Sequence, residues 1–466
     1  METLCRIIRR KEVNQDMIKK LLPGLVLLPL VIGTTGYIIS GEMFSNALYA
    51  AFALYFTNPI SDAYNLYIEI ARWLGPLVTA TAIICAIQSV WQSLRNRICL
   101  LGKKDSVSVY SDGDNSISFG KAVSAIYPGD KFRSYAQEHI IMFSSDQKNL
   151  QFYEEHRSDL LKKKVYIGIK DIEGCFLNLA GDITVFDINS SIARILWKEI
   201  SLWNKGKDNF DLVVWGGNPL SGDIISTGLQ LNLFSRNQKI RYHVIADNNI
   251  FRIRHDELKL MNDDELLYYD SVDSNIWDVI SKADIVIISD IPDPETLQTI
   301  AVKAGESELY YYSPHEGDIA SYFSYGNMKP FGREEVVFTD ENIRRGGLIR
   351  KAIALNDHYA NLYGTEKNWN ALSGFLKASN VSASDFGEVL CDLKGKVSEE
   401  EQAELEHIRW CRFMFLNYYT FGIPENGKNR DDVKRIHKDL MAFDELDPDE
   451  KVKDLEAIRI TRNLNV

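Results

Sequence analysis

The sequence lacks the patterns on which several functions depend. Its six cysteines, Cys5, Cys85, Cys99, Cys175, Cys391 and Cys411, form no C-x-x-C pair. That argues against a disulfide scaffold or a structural zinc site and fits a reducing compartment. Basic residues are outnumbered, 53 Lys+Arg against 65 Asp+Glu, for a net charge of −12. A protein that grips duplex nucleic acid through a broad basic surface is therefore disfavoured. Residues 41–69 hold no Lys or Arg at all. What is present is ordinary for folded protein: 45% hydrophobic and 25% charged residues in a chain of 466. Whole-chain disorder is excluded, and the length predicts about three structural units.

The first hundred residues read as a membrane anchor. Residues 21–39 are nineteen uncharged, mostly apolar positions, close to the ~20 needed to cross the hydrocarbon core as a helix. A basic n-region precedes them, but the apolar run is long for a signal peptide and no small-x-small cleavage site follows closely. A second span is expected over about 70–92, with Trp73 and Trp91 near its ends, where interfacial aromatics belong. Lys and Arg crowd the outer flanks of the pair, at positions 6–20 and 95–104. The positive-inside rule then places both termini in the cytoplasm of a multi-pass inner-membrane protein. Residues 46–56, NALYAAFALYF, are apolar but too short to span. They are read as a helix lying on the outer leaflet, with a pore helix as the sharper alternative. No Thr-Val-Gly-Tyr-Gly-like segment follows them, so a carbonyl-ring potassium filter is not supported. Glu69 and Arg72, spaced i, i+3, can pair on one helix face.

Beyond the linker at 101–105 the rhythm changes to short apolar runs alternating with helical periods, the pattern of an α/β domain. Strands are expected at 107–110, 139–145, 165–169 and 183–188, with a helix from about Phe119 and another over 191–203. The pattern restarts with strands at 212–217, 242–247, 283–293 and 308–314. The stretch 324–335 reads as a loop with Arg333, Arg344, Arg345 and Arg350 as a basic cluster nearby. Two degenerate Rossmann-like units result, 105–205 and 206–340. In each, a strand leads into a loop and a helix N-terminus that can face an anion. Asp146 and Asp247 stand where a ribose-binding carboxylate would sit. The glycine fingerprint is damaged: Gly216, Gly217, Asn218 and Gly222 do not complete G-x-G-x-x-G. This region resembles, in layout rather than in motif letters, the NAD-binding-type domain of potassium-uptake regulators and ligand-gated potassium channels.

Residues 345–466 read as helical. Ser398 and Glu401 form a capping-box pair, and the helix they open is expected to end at Gly422. Glu406 and His407 do not build H-E-x-x-H, so no zinc site is implied. Glu406-His407-x-x-Trp410, then Asn417-Tyr418-Tyr419-x-Phe421-Gly422, resembles the ryanodine-receptor (RyR) repeat domain. Leu440 to Leu446 and Lys451-x-x-Asp454 resemble its second signature. Tyr418-Tyr419 stands where the family has Gly-Trp, and Ala442 where it has Pro. The resemblance implies an all-α module that binds a nucleotide or a partner. Trp410, Tyr418, Tyr419 and Phe421 can stack a base, while His407 and Arg409 lie beside them and Arg409, Arg412, Lys434 and Arg435 can meet phosphates. A core role for the same aromatics is the bland alternative.

The fold expected is thus a membrane helical anchor, tandem Rossmann-like α/β units and an RyR-type helical module. The leading functional reading is a sensor–effector, not an enzyme. A nucleotide- or dinucleotide-like ligand binds the cytosolic modules and changes the membrane part, which acts as a channel or disrupts the bilayer. The lipid bilayer and further copies of the chain are the expected partners. Two helices cannot enclose a pore alone, so a closed homo-oligomer is implied, a tetramer by analogy. Layout alone suggests signalling or anti-phage defence. A tethered scaffold and a membrane-tethered NAD-type enzyme are the competing classes. For the latter, His243, His255 and His315 show no spacing that suggests a shared site.

Overall fold

The computed structural model describes residues 24 and 26–464, save 114–116, 120–122, 178, 180–181, 248, 272, 316, 318–327 and 426. The basic n-region and the start of the expected first span lie outside these residues. The chain divides into two compact units, Met1–Leu101 and Gly102–Val466.

In the first unit, helix α1 (Val26–Ile39) is followed by α2 (Phe44–Ala53), whose last turn continues to Phe56 as a tighter helix. Helix α3 (Leu66–Leu100) has 35 residues and is the one described helix long and apolar enough to cross a membrane. Small residues let the three helices approach closely: a Cβ on Gly33 would lie 3.0 Å from Ala51 and 3.1 Å from Ala71. One face of α2, with Ala47, Ala50 and Ala51, is buried together with Tyr37, Leu54, Ile68 and Ala71. The Tyr55 hydroxyl binds the Val26 carbonyl and accepts the Leu30 N–H at 3.1 Å. Helix α2 therefore runs back alongside α1, antiparallel to it. The segment read as a helix on the outer leaflet packs against both α1 and α3, because alanine on its inner face matches glycine on α1.

The second unit holds two parallel sheets. The first, in the order β2-β1-β3-β4-β5, comprises β1 (Ser106–Tyr110), β2 (Ser124–Gly129), β3 (Glu138–Ile141), β4 (Lys164–Ile169) and β5 (Ile183–Asp187). Strand β2 was not expected. It stands at the sheet edge with no residue fully buried, so its apolar signal is weak, and no helix starts at Phe119 among the described residues. The second sheet, in the order β11-β10-β9-β6-β7-β8, comprises β6 (Asn209–Trp215), β7 (Lys239–Ile245), β8 (Glu265–Tyr269), β9 (Ile285–Ile288), β10 (Glu308–Tyr312) and β11 (Met328–Phe331). Counted from β6, this is the doubly wound order of dinucleotide-binding domains, with its switch point between β6 and β9. Edge strand β11 occupies part of the stretch read as a loop. Its Pro330 is tolerated because an edge strand has one side free of the ladder.

Helix α4 (Asp146–Glu155) links β3 to β4, α5 (Ile188–Ile200) leaves β5, and α6 (Pro219–Leu231) leaves β6. Helices α5 and α6 pack against each other where the two sheets meet. A Cβ on Gly228 of α6 would fall 2.7 Å from the Trp197 ring. The fully buried Trp197 indole donates 2.7 Å to the Ile224 carbonyl. Helices α7 (Ile276–Lys282) and α8 (Pro294–Ala304) cover the other face of the second sheet.

The C-terminal part consists of α9 (Arg350–Tyr363), α10 (Gly374–Asp392), α11 (Glu399–Leu416) and α12 (Pro448–Leu464). It is not wholly helical. Three two-residue strands, β12 (Thr420–Phe421), β13 (Arg430–Asp431) and β14 (Ile436–His437), form a small sheet. Helix α11 stops at Leu416 rather than running to Gly422, and Tyr418 turns the chain with φ of 65°. One apolar core runs from the first sheet through α5 and α6 into α10 and α11.

Candidate functional site

A cleft of about 350 Å³ opens where the first sheet, α6 and the C-terminal helices converge. The carboxyl ends of β4 and β5 supply Glu173 and Asp187. Helix α6 supplies Asn218, Gly222 and Asp223, the short helix Ile250–Arg254 supplies Arg254 and the adjoining His255, and α10 and α11 supply Lys377 and Asn417. Asp187 caps α5 by accepting the Ser190 N–H at 3.0 Å and also takes the Gly174 N–H at 3.4 Å. Asn218 caps α6 through Ser221 at 2.9 Å and donates 3.1 Å to the Ser289 carbonyl. The loop that follows β4 is held by Asp146, which accepts the N–H groups of Lys170, Asp171 and Ile172 at 2.7–2.8 Å.

Charge in this cleft is unevenly satisfied. Arg194 binds Asp385, at 3.0 Å through Nη2, and the Leu348 carbonyl, while Lys198 reaches Asp385 at 2.9 Å. Glu173 pairs with Arg254 at 2.9 Å. By contrast, Asp223 and Lys377 have no hydrogen bond or ion pair among the described residues, and Asn417 Oδ1 is buried without a partner. Burial pushes the Asp223 carboxyl well above the usual range, with Asp187 and Glu173 adding to the effect. Burial likewise raises Asp187 to about 6 against its two backbone donors. Lys377 is lowered by burial. His255, lowered to about 4 by burial, stays neutral and stacks on Tyr418 at 5.2 Å.

A raised acid binds its proton in the fold at pH values where the unfolded chain has already lost it, so stability falls as pH rises through that interval. The Asp187 contribution should therefore decline between about pH 4 and 6. Asp187→Asn keeps an equally good helix cap. Urea midpoints of the variant and the natural protein, compared across this range, should show a flatter slope for the variant.

The residues singled out from sequence fall in separate places. Asn218 and Gly222 line the cleft. Gly216 (φ 137°) is buried at the β6–β9 switch point, where a Cβ would meet the Ser289 hydroxyl at 2.4 Å. Gly217 follows it there. Asp247 is exposed and lies outside the cleft lining; its Oδ1 accepts both the N–H and the hydroxyl of Ser271, at 2.9 and 2.6 Å. Asp146 is consumed by the loop it clamps. His407, Arg409 and Trp410 border a second, polar cavity of about 320 Å³ together with His437, Asp439 and Glu450. Arg409 spends its donors on Glu406 (2.7 and 2.9 Å) and Ser382 (2.8 Å), and Arg412 is wholly buried, so neither is a free phosphate ligand. The His407 ring bonds the Met441 carbonyl, and Trp410 meets the His437 ring edge-on at 4.9 Å. Tyr418 faces His255, whereas Tyr419 is buried with its hydroxyl on Asp432. The expected single aromatic platform therefore does not form, because the turn at Tyr418 sends successive side chains to opposite sides. The Arg344 and Arg345 cluster is paired with Glu138 and Asp340.

Sequence reading missed Asp187, Asp223 and Lys377, and named Asn417 only as part of the RyR-like signature, not as a site residue. A usable signal existed for two of them. Asp187 ends an apolar strand one residue before a helix, and Asp223 is a lone acid in the otherwise uncharged α6. Among the described residues, no group of three His, Cys, Asp or Glu side chains is placed to hold a metal ion.

No family model and no curated protein sequence matches this chain. Among solved structures it is similar to one titled crystal structure of the GsuK bound to ADP. The identity is 14%, covering 73% of this chain and 98% of that one, with a TM-score of 0.34.

Proposed function

We propose that this chain is a membrane-anchored receptor whose second unit binds a nucleotide-type small molecule in the cleft and whose first unit is the effector. The observation that carries the reading is a set of three polar groups in a cleft lined by all three layers of the second unit: buried Asn417 Oδ1 and half-buried Asp223 and Lys377, none with a hydrogen-bond or ion-pair partner among the described residues. A buried polar group without a partner costs stability unless a ligand or water supplies one. Asp223 and Asp187 suit the hydroxyls of a ribose or the amine of a base, and Lys377 suits a single phosphate or another anion. The surrounding carboxylates disfavour a ligand of high negative charge. The cleft volume falls in the ~300–1,000 Å³ range of small-molecule sites. Because its walls come from separate layers, a ligand that bridges them favours one arrangement of those layers over another.

A second reading keeps the RyR-type assignment of the C-terminal helices and places a stacked base on Trp410, whose ring is half-exposed at a polar cavity. Calorimetric titration of the full-length protein in nanodiscs separates the two. The panel is AMP, ADP, ATP, NAD and cyclic dinucleotides. Lys377→Ala should weaken binding ~10–100-fold, the range of a charge-assisted hydrogen bond, while Trp410→Ala leaves it unchanged. The reverse pattern would move the site to the second cavity, and no binding by any member would overturn the receptor reading.

A further inference from the structure

One face of the first sheet packs on α5; the other, covered by α4, carries a polar cluster among its apolar residues. Ser108 of β1 and His139 of β3 stand side by side in the strand register. Both are wholly buried, as is Tyr110 two residues along. The loop ahead of β3 covers them. Phe132 stacks on the His139 ring at 5.5 Å and on Tyr110 at 6.0 Å, and the Arg133 N–H donates 3.2 Å to the Tyr110 hydroxyl. That hydroxyl lies 2.9 Å from His139 Nδ1, its acceptor among the described residues. Burial, with Lys163 adding to it, pushes the His139 ring down to about 4, so it is neutral. Since Nδ1 receives the Tyr110 proton, the ring keeps its own on Nε2.

Four polar atoms of this cluster are buried without a hydrogen-bond partner: His139 Nε2, Ser108 Oγ, Arg133 Nε and the Tyr135 hydroxyl. The Ser108, Arg133 and Tyr135 side chains all act on the Tyr110 hydroxyl, so they converge on one place. All four atoms can donate, and none is only an acceptor. The charge nearby has one sign. Lys163 acts on His139 and Arg133 on Tyr110, and neither cation has an ion pair among the described residues. The adjacent acid, Glu138, is spent on Arg344 at 2.7 Å. A water molecule matches this set poorly. Its oxygen accepts two hydrogen bonds, and it brings two protons that need acceptors of their own. A halide ion accepts all four donors, brings no proton and answers the two cations.

We infer that Ser108, Arg133, Tyr135 and His139 form a binding site for a monatomic inorganic anion, which ties the loop ahead of β3 to β1 and β3. None of the four lines the cleft of the proposed function, so the two sites stand or fall separately. An anion that binds the fold and not the unfolded chain stabilises this layer by mass action.

The test is hydrogen exchange read by mass spectrometry on the full-length protein in nanodiscs. Chloride is compared with gluconate, which is too large for the site, at equal ionic strength. Chloride should slow exchange in peptides spanning 130–141 and leave those of β9 unchanged, and bromide should do the same. Arg133→Gln, at a half-exposed position, should raise the chloride needed ~10–100-fold, the weight of a charge-assisted hydrogen bond. Tyr135→Phe, which removes only a hydroxyl, should raise it by a smaller factor. Equal exchange in chloride and gluconate overturns the proposal and leaves the cluster to water. So does a slowing that extends equally to β9, or a chloride response that both variants keep in full.

Discussion

Arg412→Met should destabilise the second unit by about 3–5 kcal/mol, the usual cost of stripping one partner from a buried ion pair. The Arg412 guanidinium and the Asp264 carboxylate are both fully inaccessible and lie 2.8 Å apart. Arg412 also donates to the Leu260 and Leu229 carbonyls at 2.8 and 2.7 Å and to Asn262 at 2.5 Å. Methionine fills much of the volume but takes the guanidinium donors from two carbonyls and the countercharge from a buried carboxylate. Asp264 would keep only the Ile240 N–H and the Gln238 amide, at 2.7 and 3.1 Å. The measurement is urea unfolding followed by tryptophan fluorescence. Arg412→Met combined with Asp264→Leu should recover most of the loss, because the pair is then replaced by apolar contact. If the double variant is as unstable as the single, the carbonyls rather than the stranded carboxylate dominate.

The second large effect is expected at Gly228. Alanine normally stabilises a helix interior by ~1 kcal/mol over glycine. Here the added methyl would stand 2.7–2.8 Å from two atoms of the Trp197 ring, which is itself fully buried and cannot swing away. Gly228→Ala should therefore cost about 1–3 kcal/mol, as overpacking does. Gly222→Ala on the same helix makes the control. Its nearest neighbour is Phe251 at an ordinary 3.7 Å, so it should be neutral or slightly stabilising. Thermal melts of the two variants should shift in opposite directions or differ by several degrees. Equal shifts would mean that α5 and α6 slide to absorb the methyl.

Much of the fold was legible because buried parallel strands are nearly continuous apolar runs. The stretches around Val165–Ile169 and Ile285–Ile288 have every residue buried. The strands that escaped were edges: β2, β8 and β11 have few or no fully buried residues, so their composition carries little signal. The site was less legible for a different reason. An acid after a strand reads as a ligand carboxylate, but Asp146 turns inward and clamps a loop that sequence cannot place, and Asp247, though exposed, stands outside the cleft with Oδ1 on Ser271. Conversely Lys377 and Asp223 are far apart in sequence and meet at one cleft only through the packing of α10 against α6. The Glu406–Trp410 signature did mark a cavity, although two of its members are occupied in holding the helices together.

The α5–α6 seam also dictates an order of events during synthesis. Trp197 finds its acceptor and its glycine seat only when α6 emerges, roughly thirty residues later, about 2–6 s at ~5–20 residues per second. Arg194 waits for Asp385, 191 residues downstream, about 10–40 s at the same rates. Until then the first sheet carries an unpaired guanidinium on the helix meant to be its lid. The nascent chain must therefore delay closing its first α/β layer until α10 has left the ribosome. Truncations ending before that point should accumulate as chaperone-bound chains.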